Sequence, residues 1–521
     1  MTENISTFNR KGESESNSKG HWQALLLIMA LAFILRIFLV FYPEVIRIDG
    51  VEYIRHAKEV LAGDWTEGKS SPGYPALVAF VYTLIKNYEM AGIWVSIVFG
   101  VLLVVPVFYL GKTIFHEKVG MISGLVVAVH PFLHTFSGSV LTESTYHFFL
   151  ATSVLFGWCA FRKGRFDHVL LFGAFATLAF LTRPEAIGLL FVFIVWVFFF
   201  NPPGERRYWP KRMGMILVAL LAFLAFSSPY LIQLRKETGK WSISKKLDIS
   251  VGSVSKMGDL PSVNEIRPWR EGLPILSLFK DPLSLSVRVG TGFFSSLYKF
   301  QQVFNPILSL FAVIGWMGII RNRSPFSLKA NFYIISHHLF YFGLLLSILF
   351  TSRRYTSHMI SISILWAAFG FWLFLGWIQE RWRFVGATKK IPALLLVILL
   401  AVLFIQGRVI HPRDHRSIQK EAGLWMKDHL PGGAKIMSRL PQEAFYAELV
   451  WSILPNKSYE EVLRIARSNG IRYLVLDEDV EKRSQGFWEK LRDEDLTLLK
   501  DWNKQDQKIV IFEIVYPSKK Q

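Results

Sequence analysis

The sequence predicts an α-helical polytopic membrane protein of about 11 transmembrane helices. Its N-terminus is expected in the cytoplasm and its C-terminus outside, with a small α/β domain after the last span. Three observations carry this reading. Apolar runs of about 20 residues, long enough to cross a bilayer, recur up to about residue 409 in a chain that is 52% hydrophobic, with 44 Phe and 17 Trp. The formal net charge of +19 is gathered between those runs. From His411 onward the composition changes to 19 Lys+Arg against 18 Asp+Glu, as in a soluble domain. The same numbers exclude other classes. Disorder needs low hydrophobicity, and a disulfide scaffold needs more than the lone Cys159. A nucleic-acid-binding protein this basic would carry more than 19% charged residues and less aliphatic bulk.

Residues 1–20 are polar and Gly/Ser-rich and read as a disordered cytoplasmic tail. The apolar run Trp22–Tyr42 follows without a small-residue cleavage site, and its length suits a spanning helix better than a signal-peptide core. Further spans are expected at 91–110, 119–136, 141–160, 168–182, 185–200, 213–233, 303–320, 331–350, 358–378 and 391–408. Residues 73–88 (GYPALVAFVYTLIKNY) are apolar for only about a dozen positions, which suits an interfacial or re-entrant segment. The positive-inside rule supports leaving them out. Clusters such as Arg162, Lys163 and Arg165, or Arg381, Arg383, Lys389 and Lys390, then fall in the cytoplasm. Of the short outer loops, only those with Arg183 and with Arg353 and Arg354 carry basic residues. A transmembrane domain over 21–409 thus bears outer loops 43–90 and 234–302, and residues 410–521 form the outer α/β domain. Within that domain Ser458–Asn469 has helical spacing and Gly470 suits a C-cap. Ala434–Met437, Ile471–Leu476 and Lys508–Val515 read as strands.

Ionisable residues at the membrane boundary are the informative ones, because placing charge there is costly. Asp49 follows the first span and precedes a stretch in which Val51, Ile54, Ala57 and Leu61 line one helical face. It suits an N-cap, with Glu52 three residues later completing a capping box, and it equally suits a catalytic base. Glu143 opens the fourth span on the same side, where the helix dipole favours a carboxylate. Two carboxylates at one depth make an active site there more credible. Arg183, Arg353 and Arg354 sit against the positive-inside bias. Each can snorkel to headgroups or grip a phosphate with its bidentate fork. Arg36, within the first span, is near enough to its outer end to snorkel. His130, His134 and His147 lack metal-ligand spacing, and no phosphate loop or dinucleotide fingerprint is present.

Taken in order, these pieces resemble the GT-C glycosyltransferases that use polyprenyl-phosphate sugars. They are most similar to the branch holding the protein O-mannosyltransferases (glycosyltransferase family 39) and the lipid A aminoarabinose transferase. The resemblance rests on Asp49, Tyr53 and Ala57, on Gly63-Asp64-Trp65, and on Ser71-Pro72-Gly73-Tyr74-Pro75. Thr142-Glu143, Thr182-Arg183-Pro184-Glu185, Arg354-Tyr355 and Glu237–Ser244 extend it, and the C-terminal domain with Ile471–Asp479 completes it. It implies that Asp49 is the catalytic base. Many members have an Asp-Glu pair where this chain has Asp49-Gly50, which leaves Glu52 as the candidate second carboxylate, and some have aspartate in place of Glu143. It also implies a polyprenyl-phosphate sugar donor, a lipid, glycan or protein acceptor, and work in the cell envelope at the outer face of the plasma membrane. Members differ in metal dependence, so a divalent cation is the one cofactor it allows. The chemistry fits the residues. A sugar on a lipid phosphate has a good leaving group, so a carboxylate must take the acceptor's proton and cations must steady the departing phosphate. Asp49 and Glu143, with Arg353, Arg354 and Arg183, are the residues for these roles. The rival reading is a secondary transporter or flippase with an outer accessory domain. Such proteins tend to show repeated halves and midplane ionisable sites. No internal repeat is visible here, and the candidate residues collect at the outer ends of spans.

Overall fold

The computed structural model describes residues 18–41, 45–65, 70–201, 209–239, 241–244, 282–322, 324–347, 352–381, 390–410, 417–480, 487–504 and 507–516. Most of the expected tail, parts of loops 201–212 and 379–390, and residues 245–281 of the second outer loop lie outside them. The first helix, α1 (Ser18–Phe41), is followed by α2 (Ile48–Leu61), α3 (Gly73–Ile85), α4 (Tyr88–Leu102) and α5 (Val104–Ile114). Then come α6 (Glu117–Val129), α7 (Pro131–Ser137), α8 (Glu143–Lys163), α9 (Phe166–Thr182), α10 (Ile187–Phe199) and α11 (Trp209–Thr238). The helical part ends with α12 (Pro282–Phe304), α13 (Pro306–Asn322), α14 (Pro325–Ser347), α15 (Arg353–Thr356), α16 (Ile360–Arg381) and α17 (Ile391–Ile410). Several of these are long and apolar, as in a multi-pass membrane protein. Among the described residues four helical stretches are long and apolar enough to cross a bilayer alone, Trp22–Phe41, Tyr88–Ile114, Trp209–Thr238 and Arg353–Arg381.

Two expected spans are broken helices. Residues 119–136 divide at His130 into α6 and α7, bent by 55°. The cause is Pro131, which has no N–H to return to the carbonyl four residues back. Residues 303–320 are preceded by a helix that starts at Pro282, and the pair bends by 104° at Asn305. Asn305 has φ +83°, a left-handed conformation that Asn tolerates, and Pro306 cannot extend the preceding ladder. Residues 73–85 form a 13-residue helix, about 20 Å long at 1.5 Å per residue, against about 30 Å of hydrocarbon.

Arg36 does not snorkel. It is fully buried and donates to Val127 O at 3.0 Å, Ala128 O at 2.9 Å and Ser137 Oγ at 3.0 Å. In an unbroken helix those two carbonyls would accept from residues 131 and 132. The guanidinium satisfies what the proline break left open.

The C-terminal part holds α18 (Ser417–His429), β1 (Lys435–Ser438), α19 (Gln442–Ala447), β2 (Val450–Ile453), α20 (Tyr459–Ser468), β3 (Tyr473–Asp477), β4 (Leu496–Lys504) and β5 (Gln507–Ile514). The sheet order is β2-β1-β3-β5-β4. The first three strands are parallel, and β5 runs antiparallel to both β3 and β4. Ser458 caps α20 by accepting from Glu461 N, and Gly470 supplies the left-handed exit at φ +64°. β3 is buried on both faces, so it reads as a continuous apolar run. β2 and β4 are edge strands with mostly exposed or half-buried side chains, and they carry no such signal.

Candidate active site

Four chain segments converge on one ion cluster. Asp49 lies in the first turn of α2, where the dipole favours a carboxylate. It is not the N-cap: Arg47 holds that position in extended conformation, with no side-chain cap. The expected capping box is absent, since Glu52 turns to Arg55, with Oε1 2.6 Å from Nη2. The buried face of α2 comprises Gly50, Ile54, His56, Ala57 and Val60, while Leu61 is exposed. His56 can be inside because its ring nitrogens meet Ser70 Oγ and Trp65 O.

Glu143 is the first residue of α8 and its side chain is fully buried. Arg183 ends α9, where Pro184 stops the helix, and extends its Nη1 to Glu143 Oε1 and to Thr142 Oγ1, both at 3.2 Å. Its Nη2 lies 3.5 Å from Glu185 Oε1, and its guanidinium rests on the rings of Tyr146 and Tyr355. Burial alone would lower the Arg183 pKa, but Glu185 and Glu143 more than offset this and the group stays charged. Arg354 comes from the short helix α15, capped by Ser352 Oγ accepting from Tyr355 N at 3.2 Å. It joins the two carboxylates. Its Nη1 donates to Asp49 Oδ2, its Nε to Glu143 Oε1, and its Nη2 to Glu143 Oε2 at 3.2 Å. The same Nη2 reaches the Tyr53 hydroxyl at 3.4 Å. Burial raises the Tyr53 pKa, Arg354 lowers it, and the net direction is up.

The structure thus brings Asp49, Glu143, Arg183 and Arg354 together and leaves Arg353 and Glu52 apart. Arg353 is exposed and donates to Gln302 Oε1 on α12 at 2.9 Å. Successive helical residues point about 100° apart, so two neighbouring arginines in α15 cannot share one target. Gly50 also has a reason. A Cβ there would lie 2.9 Å from Val140 O and 2.8 Å from Ile46 Cγ1, so a second carboxylate beside Asp49 has no room. Tyr53, Thr142, Glu185 and Tyr355 belong to the cluster and were not predicted as site residues. Tyr53 was discoverable, standing one helical turn after Asp49. Among the described residues no three His, Cys, Asp or Glu side chains assemble as a metal-ligand set, and Asp49 and Glu143 are both engaged by Arg354.

Comparison with known proteins agrees with this architecture. A family model described as dolichyl-phosphate-mannose-protein mannosyltransferase matches residues 69–232, which include Glu143 and Arg183. No curated protein matches the chain. Among solved structures, ArnT from Cupriavidus metallidurans bound to undecaprenyl phosphate is similar at 13% identity and a TM-score of 0.61, over 95% of this chain and 98% of that one. The archaeal oligosaccharyltransferase AglB from Archaeoglobus fulgidus, in complex with an inhibitory peptide and a dolichol-phosphate, is similar at 13% identity and a TM-score of 0.55. That likeness covers 95% of this chain and 74% of AglB. The chain shares the fold of ArnT and AglB, with a small sheet domain at its C-terminal end.

Proposed function

We infer that the protein transfers a sugar from a polyprenyl-phosphate donor to an acceptor hydroxyl, with inversion, at the outer face of the plasma membrane. In this reading the chain crosses the bilayer about 11 times, N-terminus inside, and the C-terminal domain is extracytoplasmic. The observation that carries the reading is the Asp49–Arg354–Glu143–Arg183 cluster, assembled from four segments on a fold shared with ArnT and AglB.

Asp49 is the general base. Its side chain is 53% exposed and touches the cluster through Arg354, whereas that of Glu143 is 0% exposed and held by two arginines. Glu143 orients the guanidiniums. The acceptor oxygen attacks the anomeric carbon from the face opposite the phosphate, and its proton passes to a carboxylate oxygen of Asp49. The bond from the anomeric carbon to the phosphate oxygen breaks, and the electron pair leaves with the lipid phosphate. The phosphate gains one negative charge as Asp49 loses one, so the site's total charge is unchanged through the step. Arg354 and Arg183 supply donors where the phosphate charge grows, which is where fixed donors lower a barrier. Because Arg354 also holds Asp49, a donor phosphate drawing on Arg354 loosens the base as it binds.

The test is glycosyl transfer from a polyprenyl-phosphate sugar by purified protein, with Asp49→Asn beside the wild type. A positioned base contributes about 10²- to 10⁴-fold, and a fall of that size is expected in kcat. Turnover at the wild-type rate in Asp49→Asn would remove Asp49 as the base.

A further inference from the structure

Tyr446 belongs to the C-terminal domain, on α19, yet its side chain is buried in the apolar core of the helical domain beside Leu39, Ile54, Ala57 and Val140. Its hydroxyl makes two hydrogen bonds there. It accepts from the backbone N–H of Ile46 at 2.9 Å and donates to Glu89 Oε1 at 2.7 Å. Lys420 of α18 completes the arrangement, with Nζ 3.7 Å from Glu89 Oε2 and 4.9 Å from the centre of the Tyr446 ring. Burial, with Glu89 beside it, raises the Tyr446 pKa, so the phenol remains a protonated donor.

Ile46 stands three residues before Asp49, in the non-helical stretch 45–47 that leads into α2. It is 3% exposed, and a buried amide left without a partner is unfavourable. Its side chain also lies against Gly50. The position of Ile46 therefore sets where α2 begins and where Asp49 stands relative to Arg354.

We propose that Tyr446 is a positioning residue through which the C-terminal domain holds the entry to α2 and so places Asp49 in the cluster. This rests on the reading of Asp49 given above. The sheet domain is then part of the catalytic assembly rather than an appendage, although none of its residues need touch the reacting atoms. A base displaced by about 1 Å can cost on the order of 10²-fold in rate, while donor binding at Arg354 and Arg183 is spared.

The experiment uses the full-length protein and Tyr446→Phe, which keeps the ring in its apolar site and removes both hydrogen bonds. Hydrogen exchange over residues 45–53 is expected to quicken by about fivefold or more, in line with a lost buried hydrogen bond, with exchange in α8 and α9 unchanged. Transfer from a polyprenyl-phosphate sugar is expected to lose about tenfold or more in kcat, with the donor KM within about twofold. Unchanged exchange over 45–53 would overturn the proposal, as would faster exchange with unchanged kcat, or a rise in donor KM equal to the fall in kcat. A wild type that turns over no polyprenyl-phosphate sugar would instead sink the glycosyl-transfer reading, and the exchange result would still decide whether Tyr446 holds this segment.

Discussion

Asp49 and Glu143 are both carboxylates in the first turn of a helix, but burial separates what they can do. Glu143 is fully buried against two guanidiniums, whereas Asp49 is half exposed and bound through Arg354. Sequence spacing could offer both as bases and could not rank them. Arg353 and Arg354 show the same limit, since adjacent positions on a short helix meet different partners, Gln302 and Asp49. Gly50 is the residue-scale feature with the sharpest consequence. Gly50→Ala places a methyl group against Val140 O, and overpacking of this kind costs about 1–3 kcal/mol. A lower melting temperature in detergent than the wild type is the expected outcome. An unchanged melting temperature would mean that Gly50 is not held against Val140.

At the scale of elements, the break between α6 and α7 depends on a distant side chain. Pro131 opens the ladder, and Arg36 from α1 closes it by donating to Val127 O and Ala128 O. Arg36→Met would leave two buried carbonyls without partners, a loss of about 2–6 kcal/mol at about 1–3 kcal/mol each. Adding Pro131→Ala to Arg36→Met is expected to recover part of that loss, because an N–H at 131 can return to Val127 O. Thermal unfolding of the two variants beside the wild type checks both statements. A double variant no more stable than Arg36→Met would disconnect the arginine from the proline break.

Across the whole molecule, two assemblies meet at one end of the helical domain. The C-terminal domain docks through Tyr446 and Lys420 on Glu89 and Ile46, and the ion cluster lies next to that contact at the start of α2. The proposed threading makes a direct prediction. With single cysteines introduced at Phe80, Glu205 and Glu460 in a chain lacking Cys159, a membrane-impermeant maleimide on intact cells should label positions 80 and 460 but not 205. Labelling at 205 from outside would reverse the orientation.

Much of this architecture is legible in the sequence because hydrophobic length and periodicity are local properties. Runs of about 20 apolar residues, the change in composition near 410 and the buried strand Tyr473–Asp477 each declare themselves within a window of one element. The same holds for charges set at helix ends, which mark Asp49, Glu143, Arg183 and Arg354, and mark Arg353 equally although it lies apart from the cluster. Edge strands β2 and β4 escaped because half-exposed strands lack a distinctive apolar pattern. By itself the sequence determined a polytopic helical chain with a small C-terminal α/β part and a short set of costly charges that needed partners. Only the tertiary structure decided which partners: Arg354 meets Asp49 across 305 residues of sequence and Glu143 across 211, while Arg36 turns inward to a helix break. The physical reason is that a buried charge must be neutralised or hydrogen-bonded. Which opposite group comes within reach is set by how helices far apart in the chain pack against one another, a quantity no local pattern carries.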